Sequence, residues 1–121
     1  MSTQIHIEKI KKSKIKDLDF NDIPLGRTFT DHMFVCTYEN ERWQAPKIIP
    51  MGLIPTHPAA MALHYGQAIF EGMKATLDTE GTPMLFRPEE NAKRLNFSAR
   101  RLGMPEFSEE LFVNALKILV D

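Results

Sequence analysis

Apolar positions alternate along the first half of the chain and recur with helical spacing along the second half. Residues 28–38 (TFTDHMFVCTY) are rich in β-branched and aromatic side chains, with apolar groups on both alternating faces. Because two-faced apolar strands usually lie inside a sheet, this pattern predicts a central strand. Residues 47–49 lie between Pro46 and Pro50, and proline cannot donate a ladder hydrogen bond. A short strand at the edge of the sheet is therefore predicted there.

Two stretches near the end of the chain have the amphipathic pattern of helices. The first begins at Pro88, which suits a first-turn position, and ends before Gly103. Its buried stripe is predicted to consist of Ala92, Leu95, Ala99 and Leu102. The second follows Ser108, a good N-cap residue, and its apolar pattern runs to Asp121 without a stop signal. We therefore expect a domain that continues beyond these residues.

The remaining patterns predict a hairpin and a polar arm. Residues 71–77 and 83–87 have strand character and flank the turn-forming residues 78–81. Residues 1–22 are polar with scattered apolar positions, which predicts an N-terminal arm, with one short strand near residues 5–10, ahead of a small domain at residues 23–121. Since strands come first and helices later, we expect an α+β domain, a mainly antiparallel sheet with helices packed on it.

Composition narrows the class of protein without identifying it. The chain has 121 residues, of which 43% are hydrophobic, and a net charge of -1, which suits one small domain and argues against nucleic-acid binding. It lacks the run of roughly 18 apolar residues that a membrane-spanning helix needs. The single cysteine, Cys36, indicates a reducing, cytoplasmic setting, and the four histidines lack the spacing of metal ligands, so no metal site is predicted.

The candidate chemistry lies between residues 63 and 101. Arg94 flanks the predicted buried stripe, where its planar fork of donors suits a phosphate group. Spacing alone favours a surface ion pair with Glu90, one helical turn earlier. Tyr65 and Phe70 are candidates for lining an apolar pocket, although pattern alone favours core positions for both. The residues by themselves thus predict a possible mixed site for an apolar group and an anion.

Two long motifs carry a family resemblance. They are residues 63–75 (LHYGQAIFEGMKA) and residues 85–105 (LFRPEENAKRLNFSARRLGMP), and they follow residues 26–34 (GRTFTDHMF) and 46–50 (PKIIP). In this order the segments resemble the N-terminal domain of branched-chain amino-acid aminotransferases, which are fold-type IV enzymes that use pyridoxal phosphate (PLP). The resemblance covers about residues 23–120, nearly the whole chain.

The resemblance implies roles for four residues. Arg94 matches the arginine that grips the cofactor phosphate, which reverses the interpretation of Arg94 from spacing alone. Tyr65 and Phe70 match residues that line the pocket for the branched side chain, and the tyrosine often reaches the neighbouring subunit's active site, so a homodimer is implied. The residue before Gly26 lines the pocket in some members and is frequently Phe. Here it is Leu25, a departure that reshapes the pocket slightly.

The resemblance also implies that the catalytic machinery is incomplete within this chain. The lysine that bonds to PLP is expected in a second, larger domain beyond residue 121, so these residues contain no catalytic residue and should be inactive alone. Lys74 is interpreted as structural or exposed. The implied reaction transfers the amino group between leucine, isoleucine or valine and 2-oxoglutarate. The alternatives are a D-amino-acid aminotransferase, an aminodeoxychorismate lyase, or a non-catalytic domain that binds an anion or a partner.

Overall fold

A computed structural model describes residues 4–121, which divide into two compact units with the boundary between Leu53 and Ile54. The first three residues of the predicted arm lie outside the described residues. Within the described part of the chain there are three α-helices and seven short strands, and the strands form one three-stranded and two two-stranded sheets. The α+β class is confirmed.

The sheet of the first unit differs from its predicted order. It consists of β1 (His6–Ile7), β2 (His32–Val35) and β5 (Lys47–Pro50), in the order β1-β5-β2. The strand predicted at the edge therefore lies in the centre, and the strand predicted as central lies at the edge. The prolines do not prevent this order, because Pro46 and Pro50 lie at the two limits of β5 and leave the N–H groups between them free to pair.

The N-terminal arm is attached to the sheet. Strand β1 pairs with β5 in parallel, so the arm supplies the third strand. Beyond β1, the Asp31 carboxylate accepts hydrogen bonds from Ser13 Oγ at 2.6 Å and from the Lys14 amide at 3.2 Å. These two bonds, the Ser13 hydroxyl first, lower the pKa of Asp31. The Ile10 amide donates to His32 Nε2 at 3.1 Å. The polar pattern of the arm did not predict these contacts, because each one joins the arm to a residue that is distant in sequence.

A tight hairpin joins β3 (Tyr38–Glu39) to β4 (Arg42–Trp43), and Glu39 pairs with Arg42 across it. Its two loop residues, Asn40 and Glu41, have φ values of 51° and 60°. Two successive positive φ angles define a type I′ turn, in which Asn followed by Gly is the favoured pair. Asn40 suits the first position, whereas Glu41 has a left-handed backbone conformation that residues with a side chain rarely adopt.

Replacing Glu41 by glycine is expected to stabilise this hairpin by about 1 kcal/mol, because a left-handed conformation costs an L-residue about 1–2 kcal/mol. Amide hydrogen exchange of β3 and β4 in the complete protein would measure the change. Glu39→Gly is the matched control, since the same substitution in an extended strand should destabilise by about 0.5–1 kcal/mol. Equal effects at the two positions would contradict the strain assigned to Glu41.

The helices of the second unit follow the predicted pattern, whereas its two strands are shorter than predicted, since residues 71–74 and 86–87 lie outside them. It contains α1 (Met61–Tyr65), the hairpin of β6 (Ala75–Leu77) and β7 (Pro83–Leu85), α2 (Pro88–Arg101) and α3 (Glu109–Val120). The predicted N-cap is confirmed, since Ser108 Oγ accepts a hydrogen bond from the Leu111 amide at 3.2 Å. The buried positions of the two long helices include Ala92, Ala99, Leu111 and Ala115. Leu102, predicted in the buried stripe, is 42% exposed because it follows the last residue of α2.

Candidate functional site

An extended segment, residues 67–74, forms neither a helix nor a strand and lies along α2, and it belongs to the first of the two motifs that carry the family resemblance. Gln67 Nε2 donates to the carbonyl of Leu102 at 2.9 Å, and Asn91 Nδ2 donates to the carbonyl of Gly72 at 3.3 Å. An extended chain covers about 16 Å from residue 67 to residue 72, and a helix covers about the same length from residue 91 to residue 102. The segment therefore runs antiparallel to α2 and is fixed at both ends.

Side chains of the extended segment alternate between two environments. The odd-numbered residues are partly buried, and these are Gln67, Ile69, Glu71 and Met73. The even-numbered residues between them are exposed, and these are Ala68, Phe70, Gly72 and Lys74. Because successive side chains of an extended chain point to opposite sides, the odd set faces the unit's interior and the even set faces away from it. This alternation turns the carboxylate of Glu71 towards α2.

Arg94 is held by Glu71. Arg94 Nε lies 2.7 Å from Glu71 Oε1, and Arg94 Nη2 lies 2.8 Å from Glu71 Oε2, so the pair is bidentate. Asn91 Nδ2 donates to Glu71 Oε2 at 2.9 Å from one helical turn before Arg94. The ion pair with Glu90, favoured by spacing alone, is not the one formed, because Glu90 Oε1 lies 2.8 Å from Lys93 Nζ instead.

The electrostatics keep both members of the pair charged. The Glu71 side chain is only 7% exposed, whereas the Arg94 side chain is 64% exposed. The hydrogen bonds from Arg94 hold the pKa of Glu71 below its usual range, because they favour the ionised carboxylate over the penalty of burial. The same contact raises the pKa of Arg94. Two of the five N–H groups of the guanidinium donate to Glu71, which leaves three on its exposed side for another anion.

The residues assigned to an apolar pocket are all exposed. Tyr65 is the last residue of α1 and is 78% exposed, and Phe70 is 89% exposed. The alternative that both are core residues is therefore wrong. Phe70 lies on the opposite side of the extended segment from Glu71, so the apolar and cationic candidates occupy different faces. Leu25 is fully exposed and belongs to the first unit.

Other candidate features do not contribute to this site. An open cavity of about 440 Å³ lies between the β6–β7 hairpin, the start of α2 and α3, and Arg94, Tyr65 and Phe70 are not among its lining residues. Cys36 Sγ donates to the carbonyl of Gln44 at 3.3 Å, and burial raises the pKa of its thiol. Within residues 4–121, no helix is long and apolar enough to cross a membrane.

The arrangement fits one end of a phosphate-bearing cofactor. The exposed Arg94 guanidinium, whose orientation is fixed by Glu71, presents several N–H donors in one plane. This geometry suits phosphate oxygens. Glu71 and Asn91 complete this arrangement, but local spacing did not identify either as part of a site. The available signal was that Glu71 is the only acidic residue in residues 63–75.

Comparison with known proteins finds relatives that are named as branched-chain-amino-acid aminotransferases or transaminases. The chain is 45% identical over 96% of its length to branched-chain-amino-acid aminotransferase 2 of Bacillus subtilis, and 43% identical over its full length to branched-chain-amino-acid transaminase 1 of the same organism. It is 48% identical over 78% of its length to branched-chain-amino-acid aminotransferase of Mycolicibacterium smegmatis. No family model matches the chain.

The chain is homologous to one portion of the branched-chain-amino-acid aminotransferases, which confirms the resemblance seen in its motifs. It spans about a third of the length of the curated relatives it matches: 32% and 34% of the two Bacillus proteins and 26% of the Mycolicibacterium protein. These relatives are enzymes.

Proposed function

We propose that the complete protein carrying this chain is a branched-chain-amino-acid aminotransferase that uses PLP. The observation that carries this proposal is the 45% identity over 96% of the chain to a protein of that name. The activity itself exchanges the amino group between leucine, isoleucine or valine and 2-oxoglutarate. The single cysteine of this chain is compatible with a cytoplasmic location.

In this proposal Arg94 binds the phosphate of PLP. Its three remaining N–H groups and its exposed position support this role. When bound, PLP supplies the electron sink on which amino-group transfer depends. The lysine that bonds to PLP belongs to a segment outside these residues. Lys74 is exposed and lies on the side of the extended segment facing away from Glu71 and Arg94, which supports excluding Lys74 from that role.

Tyr65 and Phe70 are proposed to contact the aliphatic side chain of the substrate, and Leu25 is proposed as a further substrate-binding residue. Their exposure supports this role, because large aromatic side chains on a surface commonly mark an interaction site. Phe86 and Phe97 are also exposed on the second unit. We include a homodimer in the proposal, since a second subunit would cover apolar side chains of this kind.

The test uses the complete protein. Purified protein should show the visible absorbance of bound PLP and should form glutamate from 2-oxoglutarate when leucine, isoleucine or valine is supplied. Light scattering of the same sample should give twice the mass of one chain. Absence of PLP from the folded protein, and failure to bind added PLP, would refute the proposed function.

The alternative enzymes are separated by their substrates. A D-amino-acid aminotransferase would use D-alanine and reject L-leucine, whereas an aminodeoxychorismate lyase would release pyruvate from its own substrate. The relatives' names favour the branched-chain class over both. Binding of PLP without turnover of any of these substrates would favour the non-catalytic alternative.

A further inference from the structure

Glu71 is a nearly buried acid that none of the proposed roles uses. Its side chain is 7% exposed, and both of its carboxylate oxygens accept hydrogen bonds from side chains of α2. Burying a charge is costly unless it is paired and hydrogen-bonded, and Glu71 satisfies both conditions. Its partner, Arg94, is largely exposed, so the pair does not serve to bury the arginine. The consequence of the pair is the fixed orientation of the guanidinium.

The atoms involved determine which way the guanidinium points. Nε and Nη2 lie on the same edge of its plane, and both donate to Glu71, at 2.7 and 2.8 Å. The fork formed by Nη1 and the outer hydrogen of Nη2 is then directed away from the carboxylate. A single hydrogen bond would let the plane rotate, whereas a bidentate contact fixes both its position and its tilt.

Glu71 is itself held in place. Asn91 Nδ2 donates to Glu71 Oε2 at 2.9 Å and to the carbonyl of Gly72 at 3.3 Å, so one amide fixes both the carboxylate and the backbone next to it. At the other end of the segment, Gln67 is bonded to the carbonyl of Leu102. The support behind Arg94 is therefore continuous from the backbone to the guanidinium.

We propose that Glu71 is a positioning residue for phosphate binding: it holds the Arg94 guanidinium edge-on, with Asn91 fixing its carboxylate, so that the outer N–H fork meets the phosphate already oriented. This inference rests on the proposed role of Arg94 in binding PLP and adds a second residue to it. Glu71 does not touch the cofactor, and its effect passes through Arg94.

Two opposing effects determine the sign of its contribution. A carboxylate behind the guanidinium repels a phosphate in front of it, which weakens binding. Without Glu71, the Arg94 side chain is free to change rotamer, and a phosphate that immobilises it has to offset that loss of entropy. The absence of Glu71 therefore weakens phosphate binding. Water and salt screen the repulsion at the 64% exposed Arg94 side chain, so positioning is the larger effect. Glu71 therefore strengthens phosphate binding despite its charge.

The experiment compares PLP with pyridoxal, which lacks the phosphate, on the complete protein after its cofactor has been removed. Glu71→Gln keeps the shape of the side chain but places an NH₂ group against the N–H groups of Arg94. We expect affinity for PLP to fall about tenfold, from the cost of ordering one long side chain, and affinity for pyridoxal to stay unchanged. Glu106→Gln is the matched control, because the Glu106 carboxylate accepts a hydrogen bond of 2.6 Å from Arg100, which lies on the same helix as Arg94.

An affinity for PLP that is unchanged or higher in Glu71→Gln would overturn the proposal. Arg94→Ala, measured in parallel, distinguishes failure of the phosphate site from failure of the positioning role. If both variants leave PLP affinity unchanged, the proposed phosphate site at Arg94 is wrong. If Arg94→Ala weakens PLP binding and Glu71→Gln does not, the phosphate site stands and only the positioning role of Glu71 is wrong. If Glu71→Gln fails to fold, Glu71→Asp decides, since it keeps the charge but withdraws the carboxylate by one methylene. Positioning predicts weaker PLP binding for Glu71→Asp, and an unchanged affinity would refute it.

Discussion

Arg94→Ala in the complete protein is expected to weaken PLP binding by about a hundredfold while the helices remain folded. The loss corresponds to about 2.7 kcal/mol, which is of the order expected for one or two hydrogen bonds between charged groups. The helices should remain folded because the Arg94 side chain is 64% exposed and its removal opens no core, but some stability should be lost because the 7% exposed Glu71 carboxylate loses its ionic partner. Fluorescence titration with PLP measures the affinity, and circular dichroism measures the helix content.

Two further variants show which property of Arg94 matters. Arg101→Ala removes the same charge from the exposed last residue of the same helix, so it should leave the affinity for PLP nearly unchanged. Arg94→Lys retains the charge but lacks the planar fork, so an intermediate loss is expected. Equal losses in Arg94→Ala and Arg101→Ala would mean that general charge, and not a fixed contact at Arg94, governs binding.

Local signals predicted the helices of the second unit because their causes act within a few residues. Proline at the first turn of α2, glycine after its end and the Ser108 cap of α3 each influence only their neighbours in sequence. The same holds for the β6–β7 hairpin, where Asp78 Oδ1 accepts hydrogen bonds from the amides of Glu80 and Thr82 at 2.8 Å. These elements were therefore accessible from a single sequence.

Sheet order was not accessible, because it depends on pairs of strands that are distant in sequence. Apolar groups on both faces of residues 28–38 predicted a central strand, yet β5 occupies the centre and contributes the buried Ile48. The deciding partner is β1, which falls within the short strand predicted near residues 5–10, although nothing in the local pattern indicated that it would pair with β5. A strand of two to four residues has too few alternating positions to predict which other strand it pairs with.

Only part of the candidate site could be predicted from the sequence, for the same reason. Arg94 was found from its position and from the family motif, but its partner lies 23 residues earlier in the chain and was predicted wrongly as Glu90. Helical spacing identifies neighbours on one helix only. Exposure was equally hidden at Tyr65 and Phe70, since an aromatic residue that awaits a substrate or subunit has the same sequence signature as a core residue.

Asn96→Ala is expected to destabilise the pairing of α2 with α3 by about 2–3 kcal/mol. Asn96 is 5% exposed, its Nδ2 donates to the carbonyl of Phe107 at 2.8 Å, and its Oδ1 accepts from the amide of Phe107 at 2.8 Å. The side chain thus fixes the connection that precedes α3. Each hydrogen bond contributes about 0.5–1.5 kcal/mol, and the space left by the amide adds to the loss.

The control for this prediction is Asn114→Ala, the same substitution at an exposed position of α3. Alanine favours a helix over asparagine by up to about 0.7 kcal/mol, so the control should be neutral or slightly stabilised. This gain also acts at position 96 and partly offsets the loss expected there. Amide hydrogen exchange along α2 and α3 in the complete protein measures both variants. If Asn96→Ala exchanges as slowly as Asn114→Ala, the two bonds to Phe107 do not hold the helices together.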